Sequence, residues 1–258
     1  MILDIAYTQH QGRDWRYPVQ QDTLWNGVEV FQARNLRPAC HQTAADVVTL
    51  AVTDGVGDSP HAERASRTVM EELAAAIQGG ASFGTGLVRR IHGRLCDRLA
   101  TGETIGSATT LAAVQIQGAR CTVMNVGDSR VYRIAANGVW QQLSHDHTVL
   151  NGMIARGEAE EGEEYANIYN MLDSCLAADH EDTDFDIHRC VTPFLPGDAL
   201  LVCTDGVHDT LDSASLQKMV VRGTPALEQA QILRKAVLMA GAPDNFSLIF
   251  IASAARAC

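Results

Sequence analysis

The sequence predicts an α+β fold in which helices cover a core of antiparallel β-sheet. Short β-rich segments occur in clusters joined by turn residues, and the helical segments follow one another in pairs. A doubly wound parallel sheet would instead alternate strands with helices, and it usually carries a glycine-rich phosphate loop after its first strand. The sequence shows no such loop after the first predicted strand, at residues 2–7.

The first hundred residues combine apolar runs with two amphipathic patterns. Residues 46–53 are mostly apolar over a length that is typical of a buried strand. Ser59 followed by Pro60 predicts the start of a helix, because serine caps helices and proline suits their first position. Apolar residues at a spacing of four then continue to about residue 78. The predicted elements here are strands at 2–7, 27–33 and 46–53 and helices at 60–78 and 85–100.

After residue 106 the chain changes to short β-rich segments separated by turn residues. These turns include Asn137-Gly138, a dipeptide that strongly favours a hairpin. Residues 148–178 are predicted to be helical in pieces, interrupted by an acidic run over 158–186. The other predicted elements are strands at 108–116, 119–126, 130–134, 139–143, 185–191, 199–203 and 246–251 and helices at 213–221 and 225–240. Because no linker separates them, we expect one domain over residues 1–258.

Composition and charge argue against several classes of protein. The 258 residues include 31 acidic and 20 basic ones, which gives a net charge of −11. Nucleic acid and anionic membranes are therefore unfavourable partners, because both need clustered Lys and Arg. The seven cysteines contain no C-x-x-C pair, the N-terminus does not resemble a signal peptide, and no apolar run approaches the ~20 residues that span a bilayer. We expect a reduced, cytoplasmic, monomeric protein.

Three aspartates lie where apolar runs begin or end. The stretch 200–209 (LLVCTDGVHD) ends an apolar run in Asp205-Gly206, which predicts a buried strand that carries a carboxylate at its end. The stretch 48–58 (VTLAVTDGVGD) repeats this pattern at Asp54, and Asp244 closes a loop before the apolar run 246–251. Each Asp-Gly alone is also a common turn signal, so it is the set that points to a shared site.

Carboxylates at strand ends are suitable ligands for Mg²⁺ or Mn²⁺. These hard cations prefer oxygen ligands, and magnesium retains several of its waters. Two such ions about 3.5–4 Å apart would hold a shared hydroxide and polarise a phosphoryl group against it. The nine histidines show neither H-x-x-x-H nor H-E-x-x-H spacing, which argues against a zinc enzyme. The candidate metal-binding residues are Asp22, Asp54, Gly55 through its carbonyl, Asp128, Asp205 and Asp244.

Seven short motifs extend over nearly the whole chain. They lie at 12–22 (GRDWRYPVQQD), 52–57 (VTDGVG), 106–110 (GSATT), 125–132 (NVGDSRVY), 143–147 (LSHDH), 200–209 (LLVCTDGVHD) and 244–245 (DN). In this order they resemble the motifs of the PPM family, the type-2C metal-dependent protein Ser/Thr phosphatases, in its short bacterial form. The ordered set is far more specific than any one motif.

The resemblance implies a four-layer α-β-β-α sandwich, with two central antiparallel sheets flanked by helix pairs and a metal centre at one edge. By position, Asp54 would bridge two metals, and Asp205 and Asp244 would complete the shell of the first. Asp128 with Asp205 would match the ligands of a weaker third metal, and Asp22 would support a metal-bound water.

The implied activity is a protein serine/threonine phosphatase. A hydroxide that bridges two divalent metals would attack phosphoserine or phosphothreonine in line, without a covalent phosphoenzyme. The implied cofactors are two Mg²⁺ or Mn²⁺ ions, with a third in the weaker site. The implied partners are phosphorylated protein substrates of a cognate Ser/Thr kinase.

Two positions depart from the family pattern. The arginine that grips the substrate phosphate lies five residues before the opening aspartate in the family, and Tyr17 stands there in this chain. Arg16 would take the role after a one-residue insertion, and Arg13 is a second candidate for substrate binding. Gln21 replaces a glutamate that is common in the family, so we expect weaker metal binding. The predicted catalytic residues are Asp54, Asp205 and Arg16.

Two alternatives compete with this interpretation. An aspartate-nucleophile phosphohydrolase of the D-x-D-G-T type needs an Asp two residues before Asp-Gly, and Val52 and Cys203 stand there instead. A catalytically weak or inactive phosphatase-fold module that binds phosphoproteins is the second alternative, suggested by Gln21 and by Ser174 where a flap arginine is common. The presence of all the central aspartates weighs against it.

Overall fold

Two six-stranded antiparallel sheets lie face to face at the centre of the protein. The computed structural model describes residues 1–160, 162–163 and 165–254, so Glu161 and Glu164 of the acidic run and residues 255–258 lie outside the described residues. In chain order the strands are β1 (Ile2–His10), β2 (Thr23–Trp25), β3 (Val30–Phe31), β4 (Asn35–Thr43), β5 (Val47–Thr53), β6 (Ala108–Thr109), β7 (Leu111–Gln117), β8 (Arg120–Val126), β9 (Arg130–Ile134), β10 (Trp140–Gln142), β11 (Leu176–Ala177), β12 (His188–Pro193), β13 (Ala199–Cys203) and β14 (Phe246–Ala254).

The first sheet has the strand order β10-β9-β13-β14-β1-β4, and the second has the order β12-β8-β7-β5-β2-β3. Strands β6 and β11 form a separate two-stranded ladder. The helices are α1 (Ala62–Gln78), α2 (Thr85–Leu99), α3 (Val149–Ala155), α4 (Asp205–His208), α5 (Ser213–Met219) and α6 (Ala226–Met239). Among the described residues, no helix is long and apolar enough to cross a membrane.

Three apolar clusters hold the layers together. Alternate residues of the strands, such as Ile5 and Leu50, fill the space between the two sheets. Helices α1 and α2 pack residues such as Leu73 against the outer face of the second sheet. Helices α5 and α6 pack residues such as Leu233 against the outer face of the first sheet. The layers therefore follow the order helix, sheet, sheet, helix, and the predicted α-β-β-α sandwich is confirmed.

Strand β4 forms where no strand is predicted from the sequence. Its polar sequence (NLRPACHQT) lacks the alternation of a half-buried strand, and Pro38 cannot donate to a ladder. The strand lies at the edge of the first sheet and pairs with β1, so it needs hydrogen bonds on one side only. The segment predicted as one strand at 27–33 begins instead with a turn, in which Asn26 Oδ1 accepts from the backbone N–H groups of Val28 (2.9 Å) and Glu29 (2.8 Å).

Helix α1 begins at Ala62, two residues later than predicted. The hydroxyl of Ser59 donates to the carbonyl of Val56 (2.7 Å) and accepts from the N–H of Ala108 (3.0 Å). Ser59 therefore closes a turn and holds this loop to β6, and the prediction that it caps the helix was wrong. His61 precedes the helix in the left-handed region, with a φ of 49°.

A buried ion pair secures the end of the first sheet at which β13 begins. The Asp198 carboxylate accepts from the Arg133 guanidinium (2.7 and 3.0 Å) and from the N–H groups of Ala136 and Leu195 (2.9 Å each). Asp198→Ala would leave the Arg133 charge and two backbone N–H groups without their partner. We therefore expect the free energy of unfolding to fall by about 3–5 kcal/mol. Urea denaturation measures this loss. Asp97→Ala, at an exposed position of α2, is the control and should cost less than about 1 kcal/mol.

Candidate metal centre

Antiparallel pairing brings the predicted aspartates to one end of the sandwich. In the second sheet the start of β2 pairs with the end of β5, which makes Asp22 and Asp54 neighbours. In the first sheet the end of β13 pairs with the start of β14, which brings Asp205 and Asp244 to the same edge. Asp128 joins them from the turn between β8 and β9, which crosses from the second sheet to the first.

Asp22 is fully buried and links the two sheets. Its Oδ2 accepts hydrogen bonds from the hydroxyls of Thr204 (2.9 Å) and Ser247 (2.8 Å). Thr204 directly follows β13 and Ser247 lies in β14, so both donors lie at the first sheet. Gln9 donates to the carbonyl of Asp22 (3.1 Å) and to the hydroxyl of Ser247 (2.9 Å). The remaining oxygen, Oδ1, has no hydrogen-bond partner within the described part of the chain.

Backbone contacts set the positions of Asp54 and Gly55. The N–H of Asp54 donates to Thr110 Oγ1 (3.1 Å), and the Asp54 carbonyl accepts from the Thr110 N–H and the Thr109 hydroxyl (2.8 Å each). A Cβ at Gly55 would lie 2.6 Å from the carbonyl oxygen of Ala62, in the first turn of α1. Only glycine therefore allows the end of β5 to approach this helix so closely.

Asp205 is the first residue of the short helix α4, directly after β13. A Cβ at Gly206 would overlap the carbonyl oxygen of Asn245, so this glycine is needed for contact with the loop that carries Asp244. Like Asp22, Asp205 has a buried Oδ1 without a partner among the described residues.

A cavity of about 360 Å³ opens at this end of the sandwich. Five of the predicted metal-binding residues line it, namely Asp54, Gly55, Asp128, Asp205 and Asp244. Asp22 is not part of the wall, because it lies behind the cavity and faces Thr204 and Ser247. Its support of a metal-bound water therefore stays a prediction.

Burial and mutual repulsion raise the pKa values of these carboxyl groups. Burial is the largest cause for each, and it raises the pKa of Asp22, Asp128 and Asp205 to about 7. The pKa of Asp54 is raised well above its usual range, by burial and then by the charges of Asp205 and Asp22. The pKa of Asp244 is raised as well. Among the described residues that line the cavity, there is no Lys or Arg that could offset this repulsion.

The donor set fits hard divalent cations. All candidate donors are oxygens, two buried carboxylate oxygens lack partners in the described chain, and a cation would lower the raised pKa values by removing the repulsion. Within the described residues, no group of three or more His, Cys, Asp or Glu side chains could hold an ion by itself. The Gly55 carbonyl and water would therefore have to complete a coordination shell, which is common for magnesium.

The structure brings neither Arg13 nor Arg16 to the cavity wall. The exposed Arg16 guanidinium donates to the Asp14 carboxylate (2.6 and 2.9 Å), and Arg13 lines a different groove, beside α6. Tyr17 lines the cavity instead, and the charge of Asp244, followed by burial, raises the pKa of its hydroxyl. The assignment of the phosphate contact to Arg16 or Arg13 stays a prediction.

Several residues of the cavity wall have no role predicted from the sequence. Asp58 and Thr110 line the cavity, and so do Met171, Leu172 and Cys175 from the segment between α3 and β11. Asp58 closes the 48–58 stretch and Thr110 ends the 106–110 motif, so their position in these motifs was an available signal. The other three carry no local pattern that marks a site, because only the fold places them opposite the aspartates.

Comparison with known proteins identifies a family. The model of the family described as Protein phosphatase 2C matches residues 35–239. The serine/threonine phosphatase stp of Listeria innocua serovar 6a is 27% identical over 146 residues, which cover 57% of each protein. The chain thus aligns with little more than half the length of this curated relative.

Solved structures share the fold over almost the whole chain. The crystal structure of the Mycobacterium tuberculosis serine/threonine phosphatase PstP/Ppp has a TM-score of 0.77 at 20% identity, and the match covers 99% of this chain and 100% of that one. A structure of the catalytic domain of PstP in complex with two manganese ions has a TM-score of 0.74 at 21% identity, with the same coverage.

We expect the metal-free protein to lose stability as the pH rises. The unfolded carboxyl groups have a pKa of about 3.9, whereas those of folded Asp22, Asp128 and Asp205 lie at about 7. The folded state therefore binds more protons between these values, and the stability present below pH 4 is lost as the pH rises through 7. Thermal denaturation in EDTA between pH 5 and 7.5 should show a falling Tm.

Two variants distinguish the repulsion among the buried carboxylates from other effects of pH on the Tm. Asp205→Asn removes one of the repelling groups and should flatten the decline of Tm with pH, whereas Asp97→Asn on the surface of α2 should leave it unchanged. Added Mn²⁺ should raise the Tm most at the upper end of the pH range. A Tm that rises with pH in EDTA would contradict the prediction.

Proposed function

Because this chain belongs to the protein phosphatase 2C family, we propose that it hydrolyses phosphoserine and phosphothreonine on proteins with divalent metal ions as cofactors. The observation that carries the proposal is the convergence of four aspartates from two sheets on one cavity. Relatives that are named serine/threonine phosphatases in Listeria innocua and Mycobacterium tuberculosis support the same activity.

The proposed ligands come from both sheets. Asp54 would bridge two ions from the second sheet, and the Gly55 carbonyl would contact one of them. Asp205 and Asp244 would complete the first site from the opposite sheet, and Asp128 with Asp205 would hold a weaker third ion. Asp22 would act from behind the cavity, where its bonds to two hydroxyl groups tie the sheets together.

Two Mg²⁺ or Mn²⁺ ions held there would supply the attacking hydroxide and neutralise charge on the phosphoryl group. The structure that contains two manganese ions in the catalytic domain of PstP supports this choice of cofactor. The protein contributes by holding its carboxylates on rigid strand ends, because a displaced metal ligand would misalign the hydroxide with the phosphoryl group. Gln21 lies on the cavity wall and offers an uncharged amide oxygen, so we expect metal binding to be weaker than with glutamate.

The substrate phosphate needs a positive or hydrogen-bonding partner at the mouth of the cavity. Arg16 lies with its guanidinium carbon 5.9 Å from the ring centre of Tyr17, which is part of the wall. The ion pair of Arg16 with Asp14 is exposed on the arginine side, and exposed pairs contribute little to stability. A phosphate dianion would therefore compete well for Arg16, and the Tyr17 hydroxyl would be a second donor.

We also propose a cellular setting for the enzyme. The substrates would be phosphoproteins that a cognate Ser/Thr kinase modifies, and the protein would act as a cytoplasmic monomer in signal transduction. A catalytically inactive module that binds phosphoproteins is not favoured, because the candidate ligands other than Asp22 line the cavity.

Hydrolysis of para-nitrophenyl phosphate and of a phosphothreonine peptide tests the activity. We expect turnover with Mn²⁺ that EDTA abolishes, and a loss of at least about 100-fold in Asp205→Asn, because this residue would link two metal sites. Asp97→Asn is the matched control and should retain full activity. Turnover in EDTA, or full activity of Asp205→Asn, would refute the mechanism. Peptide binding without turnover in any metal would support the inactive module.

Steady-state kinetics with the phosphopeptide test the phosphate contact. Arg16→Ala should raise KM about 10- to 100-fold, the range expected for a lost hydrogen bond to a charged group. Asp14→Asn frees the guanidinium and should not raise KM. If Arg16→Ala leaves KM unchanged while Tyr17→Phe raises it, the contact belongs to Tyr17.

A further inference from the structure

A basic groove lies beside the carboxylate cavity of this strongly acidic protein. The groove has a volume of about 340 Å³ and runs along α6. Its wall combines cationic with apolar side chains, and Met239 is 76% exposed. The cationic residues of the groove are Arg13, Arg234 and Lys235, and the apolar ones are Pro38, Leu238 and Met239.

Arg234 places an uncompensated positive charge under this groove. Its buried guanidinium donates to Thr8 Oγ1 (2.7 Å), to the carbonyl of Gln9 (3.1 Å) and to Asn35 Oδ1 (2.6 Å), all of which are neutral acceptors. Burial and the charge of Arg37 lower its pKa. Within the described part of the chain it forms no ion pair with a carboxylate. A buried charge without a counterion favours the approach of an anion.

Further cations concentrate at the same place. Arg13, Arg37 and Lys235 are exposed, and among the described residues none of them pairs with a carboxylate. After burial, the charges of Arg234, Arg13 and Arg34 are the causes that lower the pKa of His10. Arg234, Arg13 and Arg34 therefore lie close enough to His10 for their charges to act on its imidazole.

One short loop separates the basic groove from the cavity. The N–H of Arg13 donates to the carbonyl of Ala242 (2.8 Å), and Gly12 lies against the backbone of Asp244. The side chain of Arg13 lines the groove, whereas Tyr17, four residues further on, lines the cavity. Four residues of extended chain span at most ~14 Å. An extended peptide that leaves the cavity could therefore enter the groove after about four to six residues.

We propose that the basic groove binds an acidic segment of the phosphoprotein substrate. This inference rests on the proposed function and adds a substrate class to it: phosphoproteins with several Asp or Glu residues about four to eight positions from the phosphorylated residue. The carboxylates pair with Lys235 of the groove wall and with the exposed Arg37, which lies close enough to Arg234 for the two charges to interact. An apolar residue of the segment packs on Leu238 and Met239. Charge complementarity of this kind provides specificity and speeds association.

Binding of an unphosphorylated peptide tests the groove without any need for catalysis. The probe is a fluorescein-labelled peptide with six Glu residues, titrated with the whole protein in EDTA at low salt. We expect binding that weakens in 0.5 M NaCl and that falls at least about tenfold in the double variant Lys235→Glu/Arg37→Glu. The control Arg90→Glu/Arg94→Glu makes the same charge change on the exposed face of α2 and should retain the wild-type affinity. No binding at low salt, or an equal loss in the control, overturns the proposal.

Kinetics with two phosphopeptides separate this proposal from the activity itself. In Lys235→Glu/Arg37→Glu, KM should rise about tenfold for a phosphothreonine peptide with an acidic segment. KM for a neutral phosphopeptide and turnover of para-nitrophenyl phosphate should stay unchanged. Equal KM values for the two peptides in the wild type overturn the docking proposal alone, whereas no turnover of any substrate by the wild type overturns the proposed function.

Other occupants of the groove would give different results. A single-stranded RNA oligonucleotide that binds more tightly than the acidic peptide would overturn the proposal in favour of nucleic acid. A dimer in analytical ultracentrifugation that the double variant abolishes would overturn it in favour of a second copy, whose acidic run would then occupy the groove.

Discussion

Buried carboxylates repel one another at one end of the sandwich, and the surrounding structure has to hold them in place. Asp54, Asp128, Asp205 and Asp244 meet in one cavity at an end of the sandwich, and burial raises the pKa of each above the usual value of a carboxyl group. No cation of the described chain lies on the wall of their cavity. An arrangement of this kind costs stability in the folded protein unless ions from solution compensate for it. Function and stability therefore oppose each other here.

The surrounding structure is rigid where the carboxylates need to be held. Asp22 bridges the sheets through two hydroxyl groups, and it keeps them in position without exposure to the cavity. Gly55 and Gly206 allow backbones to approach more closely than any side chain would permit. The two Asp-Gly pairs thus act as points of close packing that direct carboxylates into the cavity, and not as simple turns. Ladder hydrogen bonds on both sheets then limit how far the repelling groups can separate.

The charge of the protein is distributed unevenly around this site. A short loop over 12–17 separates the carboxylate cavity from a groove that is lined by Arg13, Arg234 and Lys235. The cavity wall carries carboxylates, and the wall of the groove beside it carries cations. Under the proposed function, the two surfaces would suit the phosphate and the acidic residues of one substrate segment. The net charge of −11 conceals this division, because it averages over the whole chain.

The sequence alone predicts the layered α+β architecture and the places of Asp54, Asp205 and Asp244 at the edges of apolar runs. These features depend on local periodicity and on the motif order, both of which can be read along the chain. It did not predict β4, because an edge strand needs neither apolar alternation nor a full set of donors.

The orientation and combination of distant side chains depend on packing between remote parts of the chain. This packing turns Asp22 away from the cavity and places Arg13 and Arg234, more than two hundred residues apart in sequence, in the wall of one groove. The physical reason is that a side chain's direction and its net electrostatic environment depend on every neighbour that packs around it, and most of those neighbours are remote in sequence.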